Sequence, residues 1–183
     1  MIAQKSLRLI IATVSISALF IATGSWANEK LPKPEKLQVA SGLSEKEAVS
    51  LLNTAQQYYA FWNSGIEDYA KQALASNFID LNLPDGRPQG PKGPLIASAR
   101  FRQAVPDLSI TVKSVYLLKD KVISQLLFSG HFTGTFGKSK GEGQVITFSA
   151  VDMYTIEHGK ITENWHLEDN FTLMQQLGLI NNN

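Results

Sequence analysis

The chain has 183 residues, a formal net charge of +1, 18% charged residues and no cysteine. One domain with a proper core is expected at this length. The near-neutral balance, without a basic cluster, argues against nucleic acid or an anionic membrane surface as a partner, and the lack of cysteine excludes a disulfide staple and a lipid-anchored lipoprotein.

Residues 1–27 read as a cleavable secretory signal. Lys5 and Arg8 form a short positive region, and the run LIIATVSISALFIATG is uncharged and largely apolar. Ser25-Trp26-Ala27 then presents small residues at the two positions a signal peptidase reads, with Asn28 following. The apolar run falls short of the roughly 20 residues that span a bilayer. The expectation is a periplasmic or secreted protein, cut after Ala27, without stable membrane insertion. The cut removes two positive charges and no negative one, leaving a net charge of −1. Residues 28–43, with Pro32 and Pro34 and no periodicity, read as a flexible linker, and 44–183 as a single domain.

Ser44 and Glu47 form a capping box that opens a helix with Val49, Leu52, Ala55, Tyr59 and Trp62 at helical spacing. Ser64 to Glu67 offers a second capping box for a short helix to about Ala75. A loop dense in Pro and Gly covers 83–93, and another helix covers 95–104. After Pro106 the pattern changes to strands over 108–119, 122–136, 145–157 and 160–169. Their connections are too short for the crossover that parallel neighbours need, so they pair antiparallel. Strands of this length imply a strongly curved sheet. A last helix over 172–177 ends at Gly178. Helices first and a curved meander second make an α+β fold, with the helices closing one face of the sheet.

Strand alternation carries the functional signal. On the preceding strand Ile146, Phe148, Ala150, Asp152, Tyr154 and Ile156 share one face; on the last strand Ile161, Glu163, Trp165, Leu167 and Asp169 do. Both apolar stripes carry acids. A buried unpaired carboxylate is costly, so such acids are paired, exposed at a strand end, or tuned for proton transfer. Alternation alone leaves a structural, hydrogen-bonded Asp open beside a catalytic one.

Several ordered segments carry a resemblance: Leu83-Pro84-Asp85-Gly86 with Gly90 and Gly93, Arg102 to Leu108, Val151-Asp152-Met153-Tyr154, Gly159 to Asp169, and Gln175-Gln176-Leu177-Gly178. Together they resemble the SnoaL-like polyketide cyclases, also called predicted ester cyclases, of the nuclear transport factor two-like superfamily. The resemblance implies a cone-shaped fold, its curved sheet wrapped around the N-terminal helices and enclosing an apolar pocket. It implies ring closure by acid–base chemistry without metal or organic cofactor. Asp169 stands at the expected proton-shuttle position, with Asp152 beside it as the second catalytic acid. The pocket would be lined by Trp165, Tyr154, Phe132, His131, Trp62 and Tyr59. The sequence also departs from the family: Phe132 occupies its usual histidine position, His131 falls one residue earlier and so on the opposite face, and Asn164 stands where His is common.

The three histidines lack metal-ligand spacing, so no metal is expected. Three functions remain open: an exported acid–base enzyme of cyclase, isomerase or hydrolase type acting on a small hydrophobic carbonyl compound; a non-catalytic periplasmic binder of a small apolar ligand; and a dimeric interaction module. Ile123, Leu127 and Val115 on strands suggest a homodimer through the sheet's outer face.

Overall fold

The computed structural model describes residues 31–180, so the signal segment and its cut lie outside the described residues. In chain order the elements are β1 (Lys36–Val39), α1 (Glu45–Ser64), α2 (Glu67–Ala73), β2 (Leu74–Asp80), α3 (Lys92–Ala104), β3 (Ser109–Leu117), β4 (Lys121–Phe132), β5 (Thr135–Phe136), β6 (Ser139–Lys140), β7 (Gln144–Glu157), β8 (Lys160–Glu168) and α4 (Asn170–Gln176). The main sheet has the order β1-β3-β4-β7-β8-β2. Its four inner strands are antiparallel, as the short connections require, while β1 and β2 join the edges in parallel. The fold is the expected α+β cone.

Local chemistry starts α1 as read from sequence. The Ser44 N–H donates to Glu47 Oε2 at 2.8 Å, and the Glu47 N–H donates to Ser44 Oγ at 3.3 Å. Gly65, at φ +74°, ends the helix in the left-handed region that glycine enters without steric cost. The buried stripe is Leu51, Ala55, Tyr58 and Tyr59, whereas Val49 faces solvent. The second capping box does not form. Ser64 Oγ instead donates to the Ala60 carbonyl at 2.7 Å and accepts from Ile66 N–H at 3.1 Å, which closes α1, and α2 starts without a side-chain cap.

Two stretches read otherwise become edge strands. Residues 36–39, read as linker, pair with β3, and Lys113 Nζ lies 2.6 Å from Glu35 Oε2 beside them. Their strand state comes from the free edge of β3 rather than from local propensity. Similarly, β2 follows α2 directly and lies along β8, bringing Asp80 opposite Asn164.

The long central strands β4 and β7 have 12 and 14 residues and bury alternate side chains against α1. On β7 the buried set is Ile146, Phe148, Ala150, Asp152, Tyr154 and Ile156, the face given by alternation. Register shifts break the alternation elsewhere, and those on β8 and β3 change which side chains face the core. On β8, Ile161 pairs with Ile156 but Glu163 with Thr155, so Thr162 is an extra residue. Beyond it every side chain changes face. Asn164 and His166 therefore point inward, and Trp165 and Leu167 outward. On β3 the extra residue is Lys113, and Val115, expected on the outer face, is fully buried.

Candidate active site

The concave side of the sheet, α1, α3, α4 and the loop between β2 and α3 enclose a cavity of about 460 Å³. Its walls are aromatic. Trp62 meets Phe128 edge-on, with ring centroids 5.8 Å apart, Phe128 stacks on Phe148 at 5.0 Å, and Phe101 meets Phe148 edge-on at 5.9 Å. Such pairs make a rigid apolar lining.

Against this lining four ionisable groups converge. Asp152 on β7 stands opposite His166 on β8. His166 Nδ1 lies 2.7 Å from Glu168 Oε1, and His166 Nε2 lies 3.1 Å from Asp80 Oδ1. With a carboxylate on each nitrogen, both ring N–H groups donate, as an imidazolium does. Burial alone would lower the His166 pKa. The hydrogen bond and charge of Glu168, then the charges of Asp80 and Asp152, outweigh burial and raise it to about 9. Burial would also raise Glu168, but the hydrogen bond and charge of His166 hold it below the usual carboxylate range.

Asp152 is different. It is 5% exposed, and burial pushes its pKa up to about 6 against the hydrogen bond from Tyr154 and the charge of His166. Tyr154 Oη donates to Asp152 Oδ2 at 2.6 Å, and burial raises the Tyr154 hydroxyl well above its usual value, so it remains a neutral donor. The Asn164 side chain also weakly opposes the rise in the Asp152 pKa, and its Oδ1 is buried without a partner among the described residues. Asp152 therefore exchanges its proton near neutral pH, where acid–base catalysts work best. Among the described residues no three His, Cys, Asp or Glu side chains are arranged to hold a metal ion.

The residues singled out from sequence distribute unevenly. Asp152 and Trp62 line the cavity, and Tyr154 stands directly behind Asp152. Tyr59 is core, its hydroxyl 2.5 Å from Ser124 Oγ, and Phe132 is core as well. His131 faces solvent, with Nδ1 2.6 Å from Asp107 Oδ2, opposite to Phe132 as the one-residue offset requires. Trp165 lies on the outer face because of the Thr162 bulge. Asp169 is the main correction. It is exposed and caps α4, accepting from Thr172 N–H at 3.0 Å and from Thr172 Oγ1 at 2.7 Å. These bonds hold its pKa below the usual value, the reverse of the expectation for a cavity acid. Asp169→Ala should lower the melting temperature modestly through the lost cap, while Asp169→Asn, an equivalent cap, should not. Thermal melts of both variants check this.

Sequence reasoning missed Asp80, His166 and Glu168. The short alternation Phe78-Ile79-Asp80 was the one signal for β2, and nothing local marks Thr162 as a bulge.

The ion pairs of His166 also give a pH-dependent stability. Its folded pKa of about 9 exceeds the ordinary value of 6.5, so its contribution is complete below pH 6.5 and lost as pH rises through 9. The melting temperature should fall across that window, and His166→Gln should abolish the slope.

Comparison with known proteins agrees with the geometry. The family model described as SnoaL-like polyketide cyclase matches residues 53–177. A crystal structure of a protein ascribed to the polyketide cyclases, from Bacillus cereus ATCC 10987, is 40% identical, covering 84% of this chain and 97% of that one at a TM-score of 0.76. TsrD from Streptomyces laurentii shares the fold at 24% identity and TM-score 0.66, covering 75% of this chain and 99% of that one. AclR from Streptomyces galilaeus, ascribed to the hydroxylases, shares it at 18% identity and TM-score 0.63, covering 75% and 87%. No curated protein matches the sequence. With the family model spanning most of the cone and the Bacillus cereus structure superposing over nearly its whole length, the chain belongs to the SnoaL-like polyketide cyclase family.

Proposed function

We propose that this protein is an acid–base enzyme of cyclase or isomerase type that works without a cofactor on a small hydrophobic carbonyl compound, with Asp152 as the proton carrier. The observation that supports this reading is one titratable carboxyl, poised near pH 6, at the wall of an aromatic cavity beside an imidazolium clamped by two other carboxylates. Asp152 takes the proton alpha to the carbonyl, the electron pair moves to the carbonyl oxygen, and Asp152, which trades its proton with solvent, returns one to the product. His166 has both nitrogens bonded, so it acts as a fixed positive charge rather than as the base. Ketosteroid isomerase works by the same logic, the environment of an apolar cavity setting which carboxyl carries the proton.

The test is solvent-deuterium exchange into the alpha positions of 2-tetralone, followed by proton NMR. Acceleration over buffer that depends on Asp152 supports the reading. A protein that binds 2-tetralone without accelerating exchange is instead the non-catalytic binder.

Export remains part of the proposal, on the strength of residues 1–27. N-terminal sequencing of protein from the periplasm or medium should begin at Asn28, and intact Met1 in a membrane fraction would contradict it. We also propose a homodimer through the outer sheet face, where Tyr116, Ile123, Met153 and Trp165 align across four strands. Light scattering should give twice the monomer mass; a monomer at high micromolar concentration would contradict it.

A further inference from the structure

Three charged groups of the cavity lining have no task in the proton transfer, Asp85, Arg87 and Arg100, and of these Asp85 and Arg100 are exposed while Arg87 is half-buried. Arg87 lines the cavity from the loop between β2 and α3, with its side chain 25% exposed. A guanidinium has five N–H donors, and among the described residues none of those of Arg87 meets an acceptor at hydrogen-bond distance. Its carboxylate contact is Asp80 Oδ2, at 3.8 Å. That carboxylate is already engaged, since Asp80 Oδ1 accepts from Asn82 N–H at 3.0 Å and from His166 at 3.1 Å. Asp80 thus acts on Arg87 as a counter-charge that leaves its donors free.

The loop carrying Arg87 is held to the site from behind. Gln89 bonds both backbone groups of Asp80, at 2.7 and 2.9 Å, and Asn82 Nδ2 donates to the His166 carbonyl at 2.6 Å. A Cβ on Gly93 would meet the Pro88 carbonyl oxygen at 2.6 Å, so the loop is seated tightly on the start of α3. Burial raises the Tyr58 hydroxyl and the charge of Arg87 slightly opposes that rise, and beside the larger effect of His166 it helps hold Glu168 below its usual value. Unspent donors in an apolar, preorganised cavity are the arrangement that stabilises an oxygen as it becomes negative.

We propose that Arg87 is the oxyanion-binding residue of this cavity, which takes a ligand with an aromatic or alicyclic body and an acidic enol or phenol oxygen. The inference deepens the acid–base reading above and rests on it for its chemistry. The alpha C–H bond breaks, the proton goes to Asp152, and the electron pair leaves an enolate oxygen on the guanidinium. Charge is conserved within the cavity, because the enolate appears as Asp152 is neutralised. A ligand with a permanent carboxylate is disfavoured, since it would stand beside Asp80, Asp152 and Glu168 before any proton moved.

The test uses two probes of one shape, 2,4-dinitrophenolate and 2,4-dinitroaniline, titrated below the pH at which Asp152 ionises and followed by tryptophan fluorescence. The wild type should prefer the anion by about ten- to a hundredfold, the range for a hydrogen bond to a charged group. Arg87→Gln should lose that preference while keeping its affinity for the aniline, and Arg87→Lys should keep part of it. No preference in the wild type, or a preference that persists in Arg87→Gln, would overturn the proposal. Loss of both probes in both variants would assign Arg87 to holding the loop, and would overturn it equally. An intact anion preference without any 2-tetralone exchange would sink the catalytic reading and leave the oxyanion site standing.

Discussion

Asp152→Asn should slow the exchange of 2-tetralone protons by about 10²–10⁴, the range a positioned acid–base group contributes. The change keeps the side-chain shape and the hydrogen bond from Tyr154, because the amide oxygen can accept from the same hydroxyl. It removes only the capacity to carry a proton. Stability gives an independent sign. The folded pKa of about 6 lies above the ordinary 3.8, so Asp152 favours the fold fully below pH 3.8 and loses that contribution as pH rises through 6. Asn is neutral throughout, so above pH 6 the variant should melt no lower than the wild type. A structural acid would behave oppositely: exchange would persist and the melting temperature would drop. Measuring the exchange rate beside the melt separates the two.

Gly134→Ala should abolish soluble expression. A Cβ at Gly134 would lie 1.8 Å from the Gln103 carbonyl oxygen and 2.8 Å from its carbonyl carbon, both backbone atoms at the end of α3. The same junction is bonded from the other side, since Thr133 and Gly134 N–H both donate to the Ala104 carbonyl, at 3.1 and 2.9 Å. Neither partner can swing away as a flexible side chain could. Overpacking commonly costs about 1–3 kcal/mol and more where backbone must move, a large share of the roughly 5–15 kcal/mol that holds a domain folded. Gly137→Ala is the contrasting control. No atom lies within 4 Å of a Cβ there, but its φ of +59° makes the change a local strain rather than a clash. It should lower the melting temperature and leave the protein soluble.

Those two glycines illustrate what a sequence displays and what it conceals. Gly134 falls within the stretch 122–136 read as a strand and Gly137 just beyond it, and nothing in the sequence shows that only Gly134 packs closely against α3. The same division runs through the site. Asp152 was legible because β7 alternates without interruption from Ile146 to Ile156, so an acid on the apolar face had to point inward. The capping box at Ser44 was legible because both its partners lie within one turn. His166 was not, because the extra residue at Thr162 reverses the face of everything after it, and a bulge is set by the pairing of β7 with β8 rather than by local preference. That reversal moved Trp165 out of the cavity and His166 into it. Asp169 lies beyond the strand's end, where Thr172 offers two donors and turns the acid into a helix cap. Asp80 joined the site through the parallel pairing of β2 with β8, a contact 86 residues apart in the chain that no local pattern reports.

The pH–rate profile of 2-tetralone deuterium exchange tests the role of Asp152 most directly. The expected rate rises with the ionisation of Asp152, with its inflection near pH 6, and loses that limb in Asp152→Asn. Exchange no faster than in buffer at every pH, or an inflection unchanged by Asp152→Asn, would contradict it.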